Sequence, residues 1–339
     1  GIRDRLRSRG SEMCIRDRYM ASPLFSEDSE DKWKQAAEAA YDIIKQKTDL
    51  GLDLVPYPQI FNDVNNQKAE VILYRPTGES GDFEKANFPI GVEGGKTSTC
   101  PTQNLMEAYD MKDGTPFVWN NQSNPYDNRD PRMKYTIVCN EMKWPVDPVE
   151  IWEGGTNGLP LQNATTTGYY LKKYVNNTIS FEAGSTVTKK QHNWVLFRYG
   201  EILLNYAEAM INAFHDPNYK DAVYNMSARE AVNQIRGRTN ISLPGFPSDI
   251  TEKDFVKRLK NERRVELAFE GHRFWDVRRW KELGQTANIY GVKITKNNEV
   301  ISYEKFLLET RAVTDNMYFY PIPNTERFKN PNLGQNPGW

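Results

Sequence analysis

FRYGEILLNYAEAMIN, residues 197–212, is the stretch on which the fold turns. Tyr199, Ile202, Leu203, Tyr206, Ala207 and Met210 recur at the three-and-four spacing of one buried helix face, and Phe214 extends the stripe. Asp216-Pro217 ends it. Further along, Ala228, Ala231, Val232 and Ile235 make a second stripe that stops near Gly237. Thr251-Glu252-Lys253-Asp254 has a capping-box pattern and opens a long helix predicted through Phe269. Gly271 interrupts it, and a short helix follows over 272–282. Toward the N-terminus, Trp33, Ala36, Ala37, Ala40, Tyr41 and Ile44 predict a helix over 31–46, capped by Ser29 or Asp28. Its alanines let another helix come close, as in helix-pair repeats. Nothing before residue 28 predicts that partner, so the chain reads as truncated at its N-terminus.

Between the helical blocks the sequence changes character. Residues 50–100 are broken by Pro and Gly, with AEVILY at 69–74 reading as a strand. PTQNLMEAY at 101–109 reads as a short helix capped by Thr99 or Cys100, with Asp113-Gly114 as a turn behind it. Residues 115–165 are rich in Pro and Asn and hold one strand candidate, Tyr135–Cys139. An irregular stretch of this length in a compact domain is usually functional or disordered, and its aromatic content argues against disorder. Val292–Thr295 and Val300–Tyr303 flank a turn and predict a hairpin. The tail from Tyr320 to Trp339 is expected to lie extended on the surface. The fold class is therefore mainly α, with helix pairs, a long loop-rich lobe and small β elements. Alternating βα units are absent, which excludes a doubly wound sheet.

Composition narrows the function. Across 339 residues, 44 Lys and Arg face 45 Asp and Glu, a net charge of -1 that argues against a general nucleic-acid binder. No apolar run reaches the roughly 18 residues of a membrane span. The three cysteines, at 14, 100 and 139, have neither metal-ligand nor disulfide-framework spacing. Residues 1–20 differ from the rest. Arginine occupies positions 3, 5, 7, 9, 16 and 18, Ile-Arg-Asp-Arg occurs twice, and no apolar core of a signal peptide is present. The segment reads as a non-native leader, a cloning or assembly remnant, expected to touch the body little. With its six basic and three acidic residues set aside, 38 basic and 42 acidic residues remain.

Catalytic signatures are absent: no phosphate-binding loop, no HExxH and no nucleophile elbow occur. GVEGG at 91–95 reads as loop. His192, His215 and His272 are scattered. Glu201 and Glu208 share a helix face, as do Glu262, Glu266 and Glu270, and paired carboxylates could serve glycoside hydrolysis. Arg263, Arg264, Arg273, Arg278 and Arg279 lie among them. Arginines lower a carboxyl pKa where a catalytic acid needs it raised, so ion-pair networks are the expectation. No metal or cofactor is expected.

Aromatic residues set in amide-rich loops point to sugar. A flat ring covers the apolar C–H face of a pyranose while neighbouring amides and carboxylates bond its hydroxyl rim. Trp119-Asn120-Asn121-Gln122, Tyr126-Asp127-Asn128-Arg129, Trp144 and Trp152-Glu153 have that composition. Trp119, Tyr126, Trp144, Trp152 and Glu153 are the candidate glycan-binding residues. Trp152 leads, since the following Gly154-Gly155 lets backbone approach a ligand.

Five segments, in order, carry a resemblance: CPTQNLMEAYDMKDGTPF at 100–117, NRDPRMKYTIV at 128–138, TGYYLKKYV at 167–175 leading into FRYGEILLNYAEAMIN, NERRVELAFEGHRFWDVRRW at 261–280, and YPIPNTERFKNPNLGQNPGW at 320–339. The chain resembles the SusD/RagB outer-membrane nutrient-binding lipoproteins of Bacteroidetes. The resemblance covers about the last three-fifths of a typical member and implies that the chain ends at the family's C-terminus. It assigns 21–60 to the end of an N-terminal helical-repeat portion and 61–339 to the family's C-terminal region, with tetratricopeptide-like helix pairs. It implies a non-catalytic surface protein that binds oligosaccharides, or in some members peptides. The implied partner is a SusC-like TonB-dependent transporter, and the implied location is the outer membrane's extracellular face, through a lipid anchor missing from this chain. It places ligand contacts on variable loops, so no motif transfers a binding residue. A surface glycoside hydrolase using a carboxylate pair and a pure helical-repeat scaffold are the alternatives.

Overall fold

The computed structural model describes residues 2–26, 29–61, 69–120, 124–145, 147–182 and 188–339, and of residues 2–9 the backbone alone. The principal helices are α1 (Ile2–Met20), α2 (Glu30–Lys45), α3 (Tyr199–Phe214), α4 (Ala228–Arg236), α5 (Glu252–Glu266) and α6 (Arg273–Arg279). The long strands are β1 (Val71–Ser80), β2 (Lys190–Arg198), β3 (Asn288–Asn297) and β4 (Val300–Thr310). Each belongs to a two-stranded antiparallel ladder, β1 with β2 and β3 with β4. The protein is mainly α with small β elements, as expected. Among the described residues no helix is long and apolar enough to cross a membrane.

A first core is made where α2 and α4 pack on α3 and α5 closes over them. Helix α3 is buried nearly all round, so Leu204, Ala209 and Ile211 join the predicted stripe. In α2 the apolar face includes Ile43, while Ile44 is only partly buried. Ser29 precedes α2 without a side-chain capping bond, and Asp28 lies outside the described residues. The capping box forms at α4 rather than at α5: Ser227 and Glu230 bond each other's backbone N–H. At α5, Thr251 alone caps.

Three expectations need correction. Residues 1–20 were expected to touch the body little, yet α1 packs against α2 and α3. Cys14 is fully buried in the first core, and Arg18 Nη1 reaches Glu208 Oε2 of α3 at 3.2 Å. The segment lacks apolar periodicity because a cysteine, a serine and an ion-paired arginine do the filling. It also lies where no partner helix for α2 was expected. Second, Tyr135–Cys139 is mostly not a strand. Residues Arg132–Thr136 form a helical turn and only Ile137–Val138 pairs, with Tyr170–Leu171. The 101–109 helix shrinks to Gln103–Met106, capped by Thr102 and not by Thr99 or Cys100.

The lobe has its own core, in which Tyr109, Met133, Ile137, Tyr169, Val292 and Tyr303 meet. Buried ion pairs join it to the helices. Arg132 contacts Asp130, Glu262 and Glu266; Arg198 contacts Glu70, Glu266 and Glu270; Arg238 contacts Glu70 and Glu266. The tail is exposed, with one short helix at Asn324–Lys329.

Candidate functional site

The carboxylates come first, because they decide between catalysis and binding. Glu262 is held by Arg132 and Arg236, Glu270 by Arg198 and Lys173, and Glu208 by Arg18, Arg279 and the Trp280 indole N–H. Burial alone would raise these carboxyls. The facing cations overcome it and hold Glu208 and Glu270 down at about 2. Such groups stay ionised and cannot donate a proton near neutral pH. The arginine-rich motifs are scaffold: Arg129 donates to the carbonyls of Met106, Tyr109 and Pro125, tying three points of the loop region together.

The predicted aromatics separate into two groups. Tyr126 and Trp144 are 7% and 4% exposed and belong to the lobe core. Tyr126 is packed edge-on against Tyr303 at 5.4 Å and Tyr169 at 6.2 Å; Trp144 meets Phe88 at 5.4 Å. Both rings are buried among the lobe's core residues, where they pin the lobe rather than present a face to solvent. Trp144 also lines a polar cavity of about 680 Å³, together with residues of the 147–150 and 177–182 segments.

Trp152 and Trp119 are half-buried and pack on the lobe core from outside. Trp119 stands 6.5 Å from Phe117, edge to face, and its neighbours Asn121 and Gln122 lie outside the described residues. Trp152 sits in a tight turn. Gly154 has φ of +89°, and the backbone folds back so closely that a Cβ on Gly158 would stand 2.1 Å from the Trp152 carbonyl oxygen. The Glu153 N–H donates to the Ile294 carbonyl at 2.9 Å, docking the turn on β3. Beyond it the exposed Glu153 carboxylate meets Lys293 at 3.3 Å, and Lys296 Nζ lies 4.3 Å over the indole.

Beside this turn is a cavity of about 230 Å³. Ile151, Val292, Ile294 and Phe306 give it apolar walls, while Thr165, Thr166, Glu153 and Lys293 carry its polar groups. An apolar floor with convergent polar groups is what a small polar ligand requires. Of the candidates named from sequence, the structure puts Glu153 in the wall of this cavity and Trp152 in the adjoining turn, and leaves Trp119 on another part of the lobe. Sequence reasoning missed Lys293, Lys296, Thr165 and Phe306. They come from the hairpin and from a loop more than ten residues away, and composition around Trp152 carries no signal for them.

The chain was compared with known proteins. A curated relative, SusD-like protein P2 of Formosa agariphila, is 29% identical over 163 residues, covering 46% of this chain and 28% of that protein. A SusD-like protein of Bacteroides fragilis superposes with a TM-score of 0.78 at 24% identity, covering 97% of this chain and 64% of its own. A SusD-like carbohydrate binding protein of the same organism gives 0.72 at 25% identity, covering 90% and 62%. The chain thus spans less than two thirds of each relative's length. The sequence model of the SusD family matches residues 59–339. With the lobe, helices α3–α6 and the tail all inside that match, the chain belongs to the SusD family.

Proposed function

We propose that this protein binds oligosaccharides at the cell surface without turning them over, and delivers them to a SusC-like TonB-dependent transporter in the outer membrane. The observation that carries the binding reading is the half-buried Trp152 with the exposed Glu153 beside a cavity of apolar floor and hydroxyl rim. Trp152 would cover the sugar's C–H face once Lys296 swings aside. Glu153 and Lys293 would bond its hydroxyls. Membership in a family with a carbohydrate-binding relative supports the ligand class. The absence of turnover is supported by the arginine-held state of the helix carboxylates. Delivery and anchoring rest on family membership alone.

Calorimetric titration with a panel of neutral oligosaccharides tests the site. Trp152→Ala should weaken the best ligand by roughly 1–3 kcal/mol, in line with stacking of other flat polar rings on aromatics. The fold should be kept, since the indole lies outside the lobe core. Unchanged affinity would remove Trp152 from the site. Trp119→Ala is the companion test for the second outward-lying indole.

A further inference from the structure

A cavity of about 470 Å³ runs along the outer face of α5, away from Trp152. Six cations line it: Lys253, Lys257, Arg258, Lys260, Arg264 and Arg273. Four of these, Lys253, Lys257, Lys260 and Arg264, follow from helix geometry, since steps of three and four put them on one stripe. The carboxylates in the wall are largely committed. Glu107 is paired with Lys305 at 2.8 Å and Glu282 with Lys260 at 2.5 Å. Asp110 lies 3.5 Å from Arg236 and 3.9 Å from Arg258.

The cations are not all so matched. Arg273 donates to the neutral Gln285 side chain at 2.8 Å. Among the described residues, no hydrogen bond or ion pair engages the Arg264 guanidinium. Arg264 is half-buried and its guanidinium nitrogens remain open to solvent, whereas the fully buried arginines are all bonded. Arg263, its neighbour in sequence, has Asp276 and Asn205; Arg129, which lacks a carboxylate, has three carbonyls. Burial and the nearby Arg273 charge push Arg264 down to about 10, so the group is held where its charge is disfavoured. Arg264 and Arg273 line one cavity whose carboxylates Glu107 and Glu282 are paired with lysines, and two guanidiniums so placed make a fork for an oxyanion. Phe117, Pro116 and Val256 supply an apolar wall beside the fork.

We propose that this cavity binds the oxyanion group, carboxylate or sulfate ester, of an acidic saccharide, with Arg264 and Arg273 as the fork and Phe117 against the ring. The anion chemistry stands on the cavity itself; that a saccharide carries it rests on the function proposed above. An inorganic anion offers the same chemistry, so the test separates the two sources.

The full chain would be titrated calorimetrically with sodium sulfate, with glucuronate, with a glucuronate-containing disaccharide and with the matching neutral disaccharide, all at fixed ionic strength. The expected result is saturable binding of the acidic disaccharide, tighter than that of sulfate or free glucuronate. Arg264→Gln should weaken it at least tenfold, Arg264→Lys less, and the neutral sugar's affinity should not move. Arg273→Gln gives an independent reading if Arg264→Gln fails to fold. No saturable binding of any anion, or binding indifferent to both substitutions, overturns the proposal. Sulfate binding with no acidic saccharide bound overturns its saccharide half. Neutral oligosaccharides that bind with no preference for acidic ones overturn this inference and leave the proposed function standing. Arg264-dependent sulfate binding in a protein that takes no saccharide at all leaves the anion site standing and overturns both its saccharide half and the proposed function.

Discussion

Arg129 and Arg132 stand three residues apart in one motif and do different work. Arg129 organises backbone through carbonyls, whereas Arg132 sits among three carboxylates and locks the lobe to α5. Asp110 shows the opposite balance. Burial first, then the nearby Glu262, raise its carboxyl to about 6, and Arg236 and Arg258 only partly offset them. The folded value lies above the unfolded 3.8, so folding favours the protonated form. Its contribution is therefore best below pH 3.8 and is lost as pH rises through about 6. Asp110→Asn removes that penalty. It should stabilise the protein by about 1–3 kcal/mol at pH 8 and by nothing measurable at pH 4, read from urea midpoints at the two pH values. A gain of equal size at both would mean that packing, not charge, is the cause.

Helix α1 is an element that its own sequence does not announce, and deletion tests its place. It covers the alanine face of α2, where Ala36, Ala37 and Ala40 have no exposed surface. A Cβ on Gly10 would stand 3.0 Å from Ile43 Cγ1, so the two backbones approach closely there. Removing residues 1–20 uncovers that face and strips Arg18 from Glu208. The melting temperature should fall by several degrees; an unchanged value would restore the reading of an appended remnant. The helices α2 to α5 were legible because burial on one side writes a three-and-four period into sequence. Strand β2 was not. Its pairing with β1 slips at three points, so Gln191 to Arg198 show no clean alternation. The candidate site was half legible for a related reason. A loop has no period, so composition found Tyr126, Trp144 and Trp152 alike and could not say which rings turn inward.

At the scale of the whole molecule, the buried ion pairs form the seam between lobe and helices, and the seam has a pH signature. Spacing alone predicted that Glu262, Glu266 and Glu270 would share a face and meet arginines; which arginines come from 130 residues away could be read only from the fold. Glu208 and Glu270 are held at about 2, and Glu262, Glu266 and Asp276 are lowered too, because arginines face each of them and, at Glu270, Lys173 as well. Each folded value lies below the unfolded one, 4.5 for the glutamates and 3.8 for the aspartate. The unfolded chain therefore binds these protons first as pH drops. The stabilisation is whole above about pH 5 and is lost as pH falls through the folded values near 2. Glu208 and Glu270 contribute on the order of 3 kcal/mol each by this route. Two further consequences follow from burial. Salt should leave the transition nearly unmoved, since charges out of solvent are poorly screened. Loss should also be cooperative across lobe and helices, because neutralising Glu266 frees Arg132, Arg198 and Arg238 at once, leaving three buried cations with fewer partners. Acid titration followed in parallel by hydrogen exchange of the lobe's amides and by far-ultraviolet circular dichroism, weighted to the helices, should give one midpoint below pH 4 at both low and high salt. Two separated midpoints would show that the lobe and the helical body are held together by something other than these pairs.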